Sequence, residues 1–409
     1  MPAPSRPAPS ARPKILFVAE AVTLAHVGRV IALARALDPQ RYDVHVACAD
    51  GYDFCFEGCN FTRWPIRSIP SQQFLDALAE GKPVYDEATL ESYVADDQAL
   101  LARVAPDLVV GDFRLSLSVS ARLAKLPYVS LINAYWSPYT APQYRVPNIP
   151  LTRFLPVLVA DLLFRAARPV AFALHARPLN KVRRRHGLPA LGSDLRRVYT
   201  DADRTLYADA AELFPPVDMP VEHSYIGPVT WSPPIPLPDW WEDLPQDKPL
   251  VYVTLGSSGQ GTLLPVVLEA LADLPVTVLA ATAGNVDLSK VPANARVERF
   301  LPGEAAARRA ALVICNGGSP TCHQALSAGV PVLGIASNLD QFLNMDGILR
   351  AGAGALLRAD RLQTGQLRSA ASGLLDDPAS AEAARAVAST FATYDPSARF
   401  QSVLDSLLG

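Results

Sequence analysis

Short apolar runs recur along the chain, each followed by a glycine-rich or polar turn and then by a stretch of helical spacing. In the first half Lys14–Ala19 (KILFVA), Tyr42–Cys48, Asp107–Gly111 (DLVVG) and Tyr128–Ile132 read as strands. Between them lie the turn Glu20–Ala25, an amphipathic helix over His26–Leu37, helical sequence with one polar face over 71–104, and a helix over Ser116–Leu126. Strands that alternate with helices in this way predict a parallel, doubly wound sheet. Residues 150–200 read mostly as helix, and Arg204–Tyr207 and Ser224–Ile226 read as late strands of the same sheet.

The pattern then breaks and restarts. Residues 227–249 carry so many prolines that regular helix is excluded and extended backbone is favoured. Trp231, Trp240 and Trp241 in this stretch are expected to pack on a domain surface. Beyond it, strand Leu250–Leu255, helix 262–273 and strands Val276–Ala280 and Val297–Phe300 repeat the alternation, and helices follow over 363–374, 378–392 and 396–408. The expected organisation is a disordered Pro/Ala/Ser tail over 1–13, a first domain over 14–227, a linker over 228–248 and a second domain over 249–392. The last segment, 393–409, is expected to pack its helix back on the first domain. Two sheets of this kind bind ligands beyond the carboxyl ends of their strands, which puts the site in the cleft between them.

Length and composition narrow the function. At 409 residues two domains are the default. A net charge of −3 gives no electrostatic reason to expect nucleic acid. Five cysteines, an odd number without paired metal spacing, argue against a disulfide framework or a zinc site; Cys55 and Cys59 read as ordinary thiols. No secretory signal is visible, and the most apolar stretch, Phe154–Leu174, is interrupted by Pro156, Asp161, Arg165, Arg168 and Pro169, so a cytoplasmic location is expected.

Residues 312–345 hold the densest chemistry. Strand Leu312–Cys315 runs into Gly317 and Gly318; Ser319, Thr321 and a helix-like run, Cys322–Ala328, follow. Such a turn presents free N–H groups at a positive helix end and makes a site for phosphate. A second strand, Val330–Ile335, then leads into a polar loop, Ser337–Asn344, and delivers Asp340 and Gln341 to the same edge. An anion cradle beside a carboxylate–amide pair suits a diphosphate with hydroxyls at its other end, as in a nucleotide-sugar.

Phe300 before Leu301-Pro302, then Asn316-Gly317-Gly318, Ser319, Thr321, Gln324 and Asp340-Gln341 with Asn344, together resemble the donor domain of the inverting GT-B glycosyltransferases of family 1, which include the macrolide enzymes. The likeness extends more weakly from Ile15 to the last helix. It implies an α/β, GT-B fold: two doubly wound, Rossmann-like parallel-sheet domains facing across a cleft. It also implies roles. Phe300 stacks on the base and the backbone of Leu301 reads its edge. Gln324 meets the ribose where the family usually has an acidic residue. Gly318, Ser319 and Thr321 cradle the phosphates, Ser257 and Ser258 approach them from the other side, and Asp340 and Gln341 hold the sugar. Asn316 stands where the family usually has His and brings no charge, so His323 and Arg299 are candidates to compensate. No metal and no cofactor beyond the donor are implied.

The resemblance also names a base. His26 follows the first strand, and a neutral imidazole can take the proton of an acceptor hydroxyl at physiological pH. Asp112, at the end of strand DLVVG, is the partner that fixes its tautomer. Gly28-Arg29 replaces the family's usual polar-Pro pair. Taken singly, each feature has a plainer reading: His26 as a helix cap, Asp112 as an N-cap, Gly317-Gly318 as a turn, Phe300 as core.

The aromatic loop Tyr135–Tyr139 suits an apolar small-molecule or lipid acceptor. The apolar segment 154–174 followed by the arginine-rich stretch 177–197 suits either a solvated helix or peripheral membrane contact. The rival functions are a nucleotide-sugar epimerase on the same fold and a non-catalytic nucleotide-sugar-binding helper.

Overall fold

A computed structural model describes residues 12–256, 260–284, 288 and 290–409. Ser257 and Ser258, and residues 1–11 of the N-terminal tail, lie outside the described residues. The first sheet holds β1 (Lys14–Ala19), β2 (Asp43–Cys48), β3 (Thr62–Pro65), β4 (Leu108–Asp112), β5 (Tyr128–Ile132), β6 (Arg204–Tyr207) and β7 (His223–Tyr225), in the order 3-2-1-4-5-6-7. The second holds β8 (Leu250–Thr254), β9 (Thr277–Ala281), β10 (Ala295–Glu298), β11 (Leu312–Cys315), β12 (Val332–Ala336) and β13 (Gly354–Arg358), in the order 10-9-8-11-12-13. The strand pairings of both sheets are parallel. Helices cover both faces, which is why Ile15–Val18 form an unbroken apolar run with every side chain buried.

In each sheet the strand order reverses beside the first strand, between β1 and β4 and between β8 and β11. Ligands of open α/β sheets bind at such switch points. In the first sheet Ala19 is paired with Asp112, so the turn leading to His26 and the carboxyl end of β4 open side by side. In the second, Thr254 is paired with Cys315, which brings Gly256 beside Asn316 and the glycine turn.

Several elements differ from the pattern reading. The helix bearing His26 spans Leu24–Arg35, so this residue sits inside the first turn rather than at its start. The helical stretch 71–104 is two helices, Ser71–Glu80 and Glu87–Val104, parted at Gly81. The helix after the glycine turn begins at Ser319, three residues earlier than its apolar run. The segment read as a polar loop is helix Leu339–Arg350, capped by Asn338 and Gln341 reciprocally. The edge strands β3 and β13 carry too little alternation to be read as strands.

One apolar cluster runs through both domains and includes Tyr135, Phe214 and Met345. The last helix, Pro396–Leu408, buries Phe400 and Leu404 in the core of the first domain, with Phe400 against Phe17 at 5.7 Å. Tyr42 donates its hydroxyl to Asp405 of that helix at 2.5 Å. Two linker tryptophans pack on the second domain, where Trp240 donates to Glu298 at 3.0 Å and Trp241 is buried under Arg309, while Trp231 packs on the first.

Candidate active site

His26 and Asp112 meet. The imidazole Nδ1 lies 2.8 Å from Asp112 Oδ1, and the ring lines the second of two cavities described below. Asp112 is wholly buried and His26 is partly open. Arg29, one turn after His26 on the same helix face, grips the same carboxylate: Nε donates to Oδ2 at 2.6 Å and a terminal nitrogen donates to Oδ1 at 2.8 Å. Burial pushes the Asp112 carboxyl up, but the Arg29 charge and hydrogen bonds, with His26, outweigh it and hold the carboxyl below its usual range. Burial likewise works against the Arg29 cation, and Asp112 more than restores it.

Phe113 follows Asp112 with φ +58°, a left-handed conformation that is strained for an aromatic residue. Its ring stacks on His26, with centroids 4.9 Å apart and planes 7° from parallel. What holds this backbone is a second buried arginine. Arg114 pairs with Glu20 at 2.9 Å and with Asp97 at 3.0 Å, tying the end of β4 to the end of β1. His26 is therefore fixed from three sides: by a carboxylate, by a stacked ring, and by the ion cluster beneath them.

The second domain supplies the opposite wall. Gly317 takes φ +80°, a turn that glycine makes without strain, and Gly318 caps the helix starting at Ser319. The N–H groups of Ser319 and Thr321 belong to its first turn and have no intrahelical acceptor; Pro320 has none to offer. Asn316 uses its side-chain oxygen to accept from Gly318 N–H at 3.0 Å, so it shapes the turn. Phe300 lies two residues beyond β10 rather than in it and is 42% exposed, while Leu301 is buried.

Phe300, Leu301, Asn316, Gly318, Ser319, Thr321 and Gln324 all line one cavity of about 340 Å³. His26, Gly318, Ser319 and Asp340 line a second, of about 400 Å³. The walls of this second cavity are largely aromatic and aliphatic, among them Phe74, Phe113, Trp136, Phe164, Phe172 and Tyr199. The two cavities share Thr23, Ala25, Arg29, Gly318, Ser319 and Pro320. The glycine turn and helix N-terminus at one end of the first cavity and the apolar second cavity thus meet at one rim, with His26 beside it.

Three predicted ligands carry structural duties. Gln341 is buried, and its amide oxygen accepts from the N–H groups of Ser337 and Asn338 in the cap of its own helix. Gln324 donates from its amide nitrogen to the linker, to Trp231 O at 2.7 Å and Ser232 Oγ at 3.1 Å. Asp340 accepts from Trp136 Nε1 at 2.7 Å and from the Tyr135 hydroxyl at 3.3 Å, across the domain boundary. Burial raises the Asp340 carboxyl, and the Trp136 and Tyr135 hydrogen bonds and the charges of His26 and Arg29 only partly offset that.

A polar relay that motif reading missed joins the two walls. Arg29 donates to Asn133 Oδ1 at 2.9 Å, and Ser319 Oγ lies 3.4 Å from the same atom. Asn133 in turn donates to Asp209, which lies 3.0 Å from His323 Nε2 of the second domain. His323 also lines the first cavity, with its Nε2 engaged by Asp209, and Arg299 lies over the Phe300 ring. Trp231 also lines the first cavity, and its indole N–H has no hydrogen-bond partner among the described residues. Among those residues, no group of three or more His, Cys, Asp or Glu side chains could hold a metal ion.

Residues 265–400 match the model of the erythromycin biosynthesis protein CIII-like C-terminal domain. A PGL/p-HBAD biosynthesis glycosyltransferase of Mycobacterium tuberculosis is 53% identical over 380 residues, covering 93% of this chain and 89% of that protein. The chain is a family 1 GT-B glycosyltransferase. A PGL/p-HBAD biosynthesis rhamnosyltransferase of Mycobacterium bovis is 54% identical to this glycosyltransferase, covering 93% of it and 84% of the relative. The structure of the spinosyn rhamnosyltransferase SpnG shares its fold with a TM-score of 0.69 at 20% identity, over 95% of this chain and 99% of that one. The forosaminyltransferase SpnP does so with a TM-score of 0.71 at 20% identity, over 98% and 100%. The enzyme transfers a hexose.

Proposed function

We propose that the enzyme inverts the sugar it transfers, from a nucleoside-diphosphate donor to a hydroxyl of an apolar small-molecule or lipid acceptor, with His26 as base. The observation that carries this reading is the position of the His26–Asp112 pair at the rim shared by an apolar cavity and a helix-end phosphate cradle. The acceptor hydroxyl gives its proton to His26 Nε2. Its oxygen forms the new bond to the anomeric carbon as the bond to the diphosphate oxygen breaks, and the diphosphate leaves with the electron pair. Attack from the face opposite the leaving group inverts the carbon.

Charge balance supports the arrangement. With His26 neutral, the trio of His26, Asp112 and Arg29 carries no net charge; once His26 holds the proton, it carries one positive charge. That charge arises next to Gly318 and Ser319, as the diphosphate gains negative charge, and it offsets the neutral Asn316. Together with the N–H groups of Ser319 and Thr321, it meets the leaving group in a reaction proposed to need no metal ion. In this reading Phe300 stacks on the base, Asp340 accepts from a sugar hydroxyl, and Gln341 caps the helix whose first turn carries Asp340. The relatives named rhamnosyltransferases favour a deoxyhexose such as rhamnose as the sugar.

The test is turnover, because a Mycobacterium bovis relative 51% identical over 260 residues is named inactive. Thymidine- and uridine-diphosphate sugars, rhamnose included, are first screened by thermal shift for binding. The stabilising donor is then incubated with a panel of phenols and lipid alcohols, with and without a chelator. His26→Ala should abolish transfer and keep the thermal shift. Undiminished transfer by that variant would overturn the assignment of the base.

A further inference from the structure

We infer that helix Val157–Arg185 docks this enzyme on the surface of an anionic lipid bilayer, at the mouth of the apolar cavity. The inference takes from the proposed function only the role of that cavity as acceptor site.

A helix on the outside of a protein ordinarily turns a polar face to water. This one does not. Between residues 157 and 176 the exposed positions are Leu158, Val159, Leu162, Leu163, Arg165, Ala166, Ala167, Pro169, Val170 and Leu174. Arg165 alone among them is charged, and it is tied back to Asp161 at 2.8 Å. Leu158 is 86% exposed, Leu162 71% and Val170 64%; Phe154, just before the helix, is 83% exposed. Large apolar side chains are scattered singly over a normal protein surface, whereas these are contiguous and belong to one element.

The helix cannot span a bilayer: no helix among the described residues is long and apolar enough to cross a membrane. A helix that is apolar on its outer face and basic at its ends lies in the plane of the interface instead. Exposed arginines bracket the apolar stretch, Arg153 before it and Arg177 and Arg184 after it. None of the three has a carboxylate within ion-pair distance among the described residues, unlike Lys181, Arg183 and Arg185 of the same helix. Cations so placed meet lipid phosphates when the apolar side chains between them enter the acyl boundary. A second copy of this chain would bring the same arginines together, which disfavours self-association as the occupant.

The same helix walls the cavity. Phe164, Ala167, Ala171 and Phe172 line it from inside, and Leu163 both lines it and is nearly half exposed. The outer apolar face is therefore continuous with the inner one, and an apolar acceptor passes from bilayer to cavity along one helix without crossing water.

The test uses the full chain and flotation with vesicles of phosphatidylcholine alone or mixed with phosphatidylglycerol. The protein should float with the mixed vesicles, less with phosphatidylcholine alone, and less as salt rises. The triple variant Leu158→Glu, Leu162→Glu and Val170→Glu should lose about tenfold or more in vesicle affinity while keeping its donor-induced thermal shift. His26→Ala should float like the unaltered chain, so failure of the catalytic reading leaves this result untouched. Absence of flotation, flotation that the triple variant does not reduce, or a dimer that the variant dissociates without any vesicle binding would each overturn the inference.

Discussion

Arg29 holds Asp112 through two hydrogen bonds, of 2.6 and 2.8 Å, on the carboxylate that also orients the catalytic histidine candidate. The pair is buried, so removing one partner strands a charge. Arg29→Met should cost about 3–5 kcal/mol of stability near neutral pH. The pH dependence has a definite sign. A carboxyl held below its ordinary value stabilises the fold above that value, and this contribution is lost as pH falls through the depressed one. Without Arg29, burial dominates and the ionised form becomes a liability. The gap between the two proteins should therefore be widest at neutral pH and narrow as pH falls through the carboxylate range, as read by urea unfolding at several pH values.

Trp136→Phe keeps an aromatic ring, though a smaller one, and deletes the N–H that meets Asp340. That bond is the largest of the influences restraining the raised Asp340 carboxyl. The donor KM should rise about tenfold, the worth of one hydrogen bond to a charged group. The rise should set in at a higher pH than in the unaltered enzyme, because the carboxyl now takes its proton earlier. Initial rates across a pH series, at varied donor, measure it.

Gly28→Ala sets two effects against each other. Alanine in a helix interior gains about 1 kcal/mol over glycine. A Cβ at this position would sit 2.6 Å from the Trp231 ring, however, and such overpacking costs about 1–3 kcal/mol. Stability should change little or fall, while Trp231 shifts in the first cavity. A weaker donor-induced thermal shift and altered tryptophan fluorescence would report that displacement.

His323→Leu removes the imidazole that reaches Asp209 in the other domain. Asp209 retains Asn133 and the Ala134 N–H, so the first domain stays intact. The melting temperature should drop by several degrees, and calorimetry should resolve two transitions where the unaltered chain shows closer coupling.

Much of the candidate site was legible because its residues stand at or just beyond strand ends, where pattern reading is strongest. Tyr128–Ile132 and Arg204–Tyr207 have the same bounds in sequence and structure. Two edge strands were not legible, whereas the opposite edges, β7 and β10, were: Thr62–Pro65 carries an arginine and ends in proline, and Gly354–Arg358 opens with glycine, both devices that suit an unpaired edge. The helix at Leu339 was hidden because its first turn is polar, and the cap signature, Asn338 followed by Gln341, is the signal that finds it. Asn133 and Asp209 stand far apart in the chain and only the topology joins them. Arg29 did leave a trace: a lone arginine three residues after the histidine in an otherwise apolar helix face requires a buried acid.

Gly227 and Tyr394 lie in contact, so close that a side chain on the glycine would begin 2.4 Å from the tyrosine Cβ. The first leads out of the β1–β7 domain into the linker, and the second leads back from the other domain into the last helix. The chain thus crosses between its domains twice, at adjacent points, like two knuckles on one pin. The Tyr394 hydroxyl fastens that pin to Ala211 and Glu212. Two crossings pinned at one edge restrict any change in the cleft to a swing about that edge, rather than a free separation of two tethered bodies.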